Sequence, residues 1–540
     1  MNAGDIAWVL TSTGLVVVMV PGLALFYGGL VSSRNVLVML QQNIFPLGLI
    51  SILWVLAGYS LAFGRDAGGG VIGNLAAFGL HDLGQSPLPN MHVVVPGVAI
   101  PTLAFVAYMM MFAIITPALV TGATADRLKF AGYAVVIGVW SLVVYAPIAH
   151  WLWCPSGWLA KRGAQDWAGG LVVHASAGAA VVALLLVIGR RRRWPNAATR
   201  PHSIPLVVLG AGLLWFGWFG FNGADGLRAN GVAAQALINT QVAGAAALLV
   251  WLLRERFTEG HATVLGGVTG AVAGLATITP CAGYVDTYAA VIIGGLAGLI
   301  CHLTLRLKQF LRLDDALDVI AVHFVGGVLG TFLLGFFGHK GINSIGANGL
   351  FYGGGGHLLG EQTFAIIVVV AFSFCLTWVI ATAVAKTIGL RVLPADESDL
   401  DRRQEALSAY ALGRPASVMQ PADDAARPPM PAARAGEQMK LIRTLVDHED
   451  ADELRAALVD AGAVSIVLSE ASLYTGTSRT EVFRGQRRKV EFDARLRLEV
   501  LAAAPDVPSV VRAIRRIPGT GTYLQVLDVD CFTETVGKAG

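Results

Sequence analysis

Eleven stretches of this chain carry no Asp, Glu, Lys or Arg and are long and apolar enough to cross a bilayer: 6–33, 35–64, 83–125, 130–160, 167–189, 201–224, 229–253, 260–285, 287–305, 319–339 and 362–385. A spanning helix needs about 20 such residues, because hydrocarbon offers no partner to an unpaired backbone N–H or C=O. That pattern predicts an all-α membrane protein with eleven transmembrane helices. The third run is expected to begin as a loop and become helical near Gly97. The uncharged stretches 67–81 and 341–360 are rich in Gly and read as loops. Charge steps sharply along the chain. About 8% of residues 1–390 are charged, against about 29% of residues 391–540, and ordinary soluble proteins sit near about a quarter. The last part is therefore built for water.

An odd number of spans puts the termini on opposite sides. With the N-terminus outside, inner loops hold 14 Lys and Arg and outer loops 5. This asymmetry predicts a multi-pass protein of the inner (cytoplasmic) membrane with its C-terminal part in the cytoplasm. The first run lacks a basic leader and reads as a span rather than a cleaved signal. The basic residues follow membrane edges and form no nucleic-acid face. The five cysteines, Cys154, Cys281, Cys301, Cys375 and Cys531, show neither a disulfide framework nor a zinc pattern. No P-loop, no G-x-S-x-G and no metal-ligand cluster supports an enzyme.

Ionisable groups inside spans usually mark function. His174 follows Asp166 by eight residues in the fifth run, and His323 follows Asp315 by eight in the tenth. One such histidine would more often satisfy a neighbouring carbonyl. Two in matching contexts predict equivalent helices of a 5+5 inverted repeat plus one, with the imidazoles facing each other on the pseudo-axis. Phe26-Tyr27-Gly28-Gly29 and Trp218-Phe219-Gly220-Phe221-Asn222-Gly223 are a second similar pair, in runs one and six. Their aromatics fit either an interface belt or a cation-holding wall.

The segments PGLALFYGGLVSSRNVL, TADRLKF, DWAGGLVVH, WFGWFGFNGADG, TITPCAGYV and LRLDDALDVIAVH resemble the ammonium transporter (Amt/Mep/Rh) family over about residues 5–410. The resemblance implies a homotrimer in the lipid bilayer with one narrow pore per subunit. It implies an outer recruitment site for ammonium at Trp153 and Phe112, a gate of stacked Phe112 and Phe221, and a hydrogen-bonded pair of His174 and His323 below it. Asp166 matches the supporting aspartate, while Trp218, Tyr27, Thr279 and Val319 match pore-lining or pore-supporting positions. Ammonium would be deprotonated and pass as ammonia, a route closed to potassium. The sequence departs from the family at Asp225, where a serine is usual. A carboxylate there would hold a cation more tightly and favour sensing over flux; alternatively it faces the outer water or pairs with Arg228.

Three segments are expected: a membrane domain over 1–392, a cytoplasmic tail and Ala/Pro-rich linker over 393–438, and a domain over 439–540. The last reads as strand, helix, two strands, helix, strand, an α+β ferredoxin-like order. MKLIRTL, SLYTGTSRTEVFRGQRRKVEF and PGTGTY resemble the P-II nitrogen signalling family. That resemblance implies a long loop able to enter the cytoplasmic mouth of a transporter and plug it with Arg484, followed by Gly485. The chain would carry its own regulator, docking on its own membrane domain. No cofactor is required. ATP, ADP or another small effector is the ligand class implied for the P-II-like domain, with Arg495, Gly519 and Gly521 at the nucleotide site. Arg488 replaces the modified tyrosine of that family and Thr522 its lysine after the late Gly-x-Gly. The second reading of the whole chain is an ammonium sensor that passes little ammonium.

Overall fold

The computed structural model describes residues 2–529 except 82, 84–97, 99, 193, 196–200, 395, 408, 411–437, 447–450, 484–485 and 517–523. The chain divides into two compact units, Met1–Ala409 and Tyr410–Gly540.

Among the described residues of the first unit, ten helices are long and apolar enough to cross a membrane. They are α1 (Ala3–Leu30), α2 (Val36–Phe63), α3 (Thr102–Thr124), α4 (Phe130–Arg162), α5 (Gly170–Ile188), α6 (Ile204–Gly223), α7 (Gly231–Glu259), α9 (Thr287–Thr304), α10 (Ile320–Phe337) and α11 (His357–Thr387). The helix α8 (Val264–Ile278) is apolar but shorter. Helix α3 begins at Thr102, after Pro101, which is extended with ψ 140°; Gly97, where the sequence led to an expected start, lies outside the described residues.

Helices α1 and α6 approach closely through small residues. A Cβ on Gly210 would lie 2.3 Å from the Phe26 nitrogen, and one on Gly217 would lie 2.3 Å from Met19. Small residues are how helices meet in lipid, where burial of apolar surface supplies no net drive. The same device governs α5 and α10. Each opens in a π-helical turn, Gly170–Ala175 and Ile320–Val325. A Cβ on Gly178 would lie 2.3 Å from the Phe324 Cβ, and one on Gly327 would lie 2.6 Å from the Gly170 carbonyl oxygen and 2.8 Å from the His174 Cβ. Each glycine stands four residues after a histidine, so one approach mirrors the other. Helix α11 is fixed by two hydroxyl contacts. Ser373 donates to the Ser176 carbonyl at 2.7 Å, and Thr377 accepts from the Trp140 indole at 2.9 Å.

The segment after α11 folds back on the helices. Asp401 accepts from the Val38 N–H at 3.1 Å, and Asn35 accepts from the Leu400 N–H at 2.9 Å. Nearby, Arg191 pairs with Asp126 at 2.9 Å and with Asp314 at 2.8 Å, and the buried Arg127 meets Asp314 at 3.2 Å. These low-exposure pairs carry a desolvation cost that only several mutual partners offset.

In the second unit, β1 (Met439–Val446), α12 (Ala451–Asp460), β2 (Ala463–Phe483), β3 (Gln486–Ala503), α13 (Val507–Arg515) and β4 (Leu524–Asp528) follow in that order. The sheet runs β2-β3-β1-β4 with every neighbouring pair antiparallel. Period-2 alternation sends Ile442, Val446, Leu498 and Val500 to one face, where they pack with Leu454 and Leu458 of α12 and Ile514 of α13.

Replacing Gly327 by Val should force α10 away from α5, at a cost of about 1–3 kcal/mol for overpacking. The midpoint of thermal unfolding of the purified full-length protein should fall; an unchanged midpoint would show that the helices can part freely.

Candidate functional site

The π-turns of α5 and α10 carry the two histidines. Asp166 fixes the first turn, its Oδ1 accepting from the N–H groups of Gly169 and Gly170 at 3.0 and 2.6 Å and its Oδ2 from those of Leu171 and Val172 at 2.8 and 3.0 Å. Asp315 accepts from Val319 and Ile320 at 3.1 and 2.8 Å in the second. A carboxylate at a helix start satisfies orphan donors and matches the positive end of the backbone dipoles.

The aspartates hold the turns that carry His174 and His323, whose Nδ1 atoms lie 3.2 Å apart. Both rings are buried, and the His174 Nε2 has no hydrogen-bond partner among the described residues. Two Nδ1 atoms at this distance hold one proton between them: two bare lone pairs repel and two N–H groups clash. One ring therefore carries its proton on Nδ1 and its neighbour does not. Trp218 stacks on His174 with centroids 5.6 Å apart, and its indole donates to Thr279 at 2.9 Å.

A narrow cavity of about 20 Å³ runs beside the pair. His174, His323, Trp218 and Phe221 line it, and the rest of its wall is apolar, including Leu23, Leu214 and Val272. On one side Phe221 stacks against Phe112 at 4.1 Å with 22° between the rings. Phe112 in turn meets the Trp153 ring edge-on at 5.6 Å. Trp153 belongs to a second, wider cavity of about 150 Å³, which Asp166, Trp167, Asp225 and Tyr284 also line. Trp153 donates to the Asp166 carbonyl at 2.9 Å and Trp167 to the Asn222 carbonyl at 2.7 Å, so both indoles are held rigidly.

Of the anticipated positions, Tyr27, Thr279 and Val319 stand behind the cavity wall. The Tyr27 hydroxyl donates to the Leu119 carbonyl at 3.4 Å, and the Val319 side chain packs toward Gly122. The sequence reading missed Trp167 and Tyr284. Their positions beside the Asp166 and TITPCAGYV motifs were the available signal. Arg484, Gly485, Gly519 and Gly521 lie outside the described residues, and of Arg495 only the strand position is described.

Asp225 differs from Asp166. The four N–H groups on Asp166 fill its acceptor sites, whereas Asp225 Oδ1 is enclosed without a hydrogen-bond partner among the described residues. Burial, and then the neighbouring Asp166 charge, push the Asp225 carboxyl well above the ordinary carboxylate range. Beside aromatic walls, such a group is suited to a small cation.

Stacked rings between a wider cavity and a narrow apolar one with two histidines, set among long apolar helices, are the features of a membrane transport protein. The chain belongs to the ammonium transporter family: residues 7–410 match the Ammonium Transporter Family. It is 43% identical over 432 residues to an ammonium transporter of Mycobacterium tuberculosis, covering 76% of this chain and 90% of the relative. It is 40% identical over 408 residues to Ammonium transporter Amt1 of Archaeoglobus fulgidus, covering 75% and 99%. The crystal structure of Candida albicans Mep2 is similar with a TM-score of 0.68 at 32% identity, covering 76% of this chain and 94% of that one. A structure titled Sensor Amt Protein is similar with a TM-score of 0.67 at 28% identity, covering 74% and 98%. Ammonium transport across a membrane is the function that this membership carries.

The raised carboxyl sets the sign of a pH effect. A carboxyl pushed upward is neutral at pH values where free aspartate is charged, and only its charged form attracts the cation. Ammonium affinity should therefore weaken on acidification while the pH is still above the ordinary aspartate range. Asp225→Ser should bind more weakly and lose that dependence. Equal affinities and equal pH profiles by calorimetry would remove Asp225 from the site.

Proposed function

We propose that the chain forms a trimer of eleven-span subunits, the short α8 completing the count as a span. Each subunit recruits ammonium in the outer cavity, deprotonates it and passes ammonia along the His174–His323 bore to the cytoplasm. The observation that carries this reading is the Nδ1 contact inside an otherwise apolar bore behind the Phe112–Phe221 stack. A bare ammonium ion in such a bore meets a desolvation penalty of several kcal/mol. Ammonia meets far less, and an imidazole pair sharing one proton can relay a second. Aromatic rings and Asp225 offset the charge outside, and potassium, which has no proton to give up, is refused.

The membrane domain, tail and linker, and regulatory domain take the boundaries 1–392, 393–438 and 439–540, with the N-terminus outside and the regulatory domain cytoplasmic in the inner membrane. The sheet order β2-β3-β1-β4 supports a ferredoxin-like, P-II-like reading of the last segment. The long β2–β3 pair, with Arg484 and Gly485 between the two strands in the sequence, is the arm that would plug the pore. A tethered domain acts at an effective concentration near the millimolar range. ATP, ADP or another small effector at Arg495, Gly519 and Gly521 would set its state.

Asp225 favours a second reading: its enclosed carboxyl, whose Oδ1 has no hydrogen-bond partner among the described residues, holds ammonium long enough to report its presence, and the chain is a sensor. Currents in proteoliposomes after ammonium pulses separate the two. Transport predicts an ammonium current that His174→Ala and His323→Ala each reduce at least about tenfold or render unselective. Normal selective currents in both variants would overturn the proton-relay role, and no current in the parent would leave the sensor.

Arg484→Ala should raise steady flux under conditions in which the parent is restrained. Identical flux in the two proteins under every effector would end the plug assignment.

A further inference from the structure

The cavity that holds Asp225 has a second acceptor without a donor. Gln165 lines it together with Asp225, Trp153, Trp167 and Tyr284. The Gln165 Oε1 is enclosed and has no hydrogen-bond partner among the described residues, as is true of Asp225 Oδ1. Leaving an enclosed acceptor unpaired is costly, and two in one cavity point to an occupant that brings its own donors. The backbone of Gln165 is held in place. Gln362 of α11 is fully buried; its Oε1 accepts from the Gln165 N–H at 2.8 Å and its Nε2 donates to the Gln165 carbonyl at 2.7 Å. Nothing comparable holds the side-chain oxygen, so the terminal amide can turn it toward a ligand about a broad torsion. Two donors beside the cavity are already spent, since the Trp153 and Trp167 indoles donate to the Asp166 and Asn222 carbonyls. These walls thus present acceptors and rings, the complement of a cation rich in N–H groups.

We propose that Gln165 is a second ligand of the recruited ion: ammonium gives one N–H to the Gln165 amide oxygen and another to the Asp225 carboxyl, with the remaining two toward the aromatic walls. This rests on the recruitment of ammonium in the outer cavity proposed above. The two acceptors act differently. Asp225 contributes charge and loses it on protonation, whereas an amide does not titrate. Gln165 also counts N–H groups. Ammonium has four and can serve both acceptors. Trimethylammonium has one and serves the carboxylate, where charge attraction is strongest. A cavity of about 150 Å³ has room for either cation. Gln165 therefore sets a preference for ammonium over its methylated relatives.

The test is calorimetry of the purified full-length protein with ammonium and, separately, with trimethylammonium. Gln165→Met keeps an unbranched side chain of similar length and removes the amide. Its ammonium affinity should fall about tenfold, at mildly alkaline and at acidic pH alike, while its trimethylammonium affinity stays at the parent value. Asp225→Asn should instead weaken both cations, and its difference from the parent should shrink on acidification as the parent carboxyl takes up its proton. Gln165→Glu keeps an acceptor in place and should retain the preference for ammonium; a lost preference there overturns the proposal even if Gln165→Met does not assemble. Unchanged ammonium affinity in Gln165→Met removes the residue from the site, and equal losses for both cations mark a merely structural role; either result overturns the proposal. A parent that binds neither cation overturns recruitment in this cavity, and the part of Gln165 with it.

Discussion

Gly178 and Gly327 let two helices touch where any side chain would hold them apart, and the chemistry of the bore depends on that contact. With a Cβ at either position, the neighbouring turn would have to move. The histidine Nδ1 atoms are 3.2 Å apart, so a shift of half an ångström already breaks their hydrogen bond. Asp166 and Asp315 then determine what each turn does once the helices meet. By filling the first N–H groups of the π-turns they fix the direction of each imidazole, and they do so with charges whose own acceptor sites are largely used up. The same residue type therefore serves two purposes in one wall: Asp166 has four N–H partners, while Asp225 Oδ1 has no hydrogen-bond partner among the described residues.

Polarity is graded along the bore. The outer cavity has a carboxylate and aromatic edges, the stacked pair presents only ring faces, and the cavity beside the histidines is apolar apart from them. Under the proposed mechanism, such an order would remove water before it removes charge stabilisation, the sequence in which ammonium could give up its proton.

Much of this was legible in the sequence because a membrane penalises charge. The absence of Asp, Glu, Lys and Arg over long runs marked the spans, and the same penalty made His174 and His323 conspicuous. Their shared spacing from an aspartate singled out the two π-turns that the structure brings together. Other parts were silent for physical reasons. Leu23, Leu214 and Val272 line the bore, yet nothing distinguishes a bore-facing leucine from a lipid-facing one when the whole helix is apolar. Tyr27, Thr279 and Val319 match family motifs, but they stand one layer behind the wall. The folding back of Leu400 and Asp401 onto Asn35 and Val38 was hidden by the composition step near residue 391, which tells solvent from lipid and not one packed surface from another.

The scarcity of polar atoms around the histidines bears on the energy supply of the cell. The cavity of about 20 Å³ is walled mostly by aliphatic and aromatic side chains and offers water few polar partners beyond the two histidines. Under the proposed mechanism, charge would pass only through the imidazole pair and only with ammonium to supply the proton, so a subunit idle for want of ammonium would not short-circuit an energised membrane.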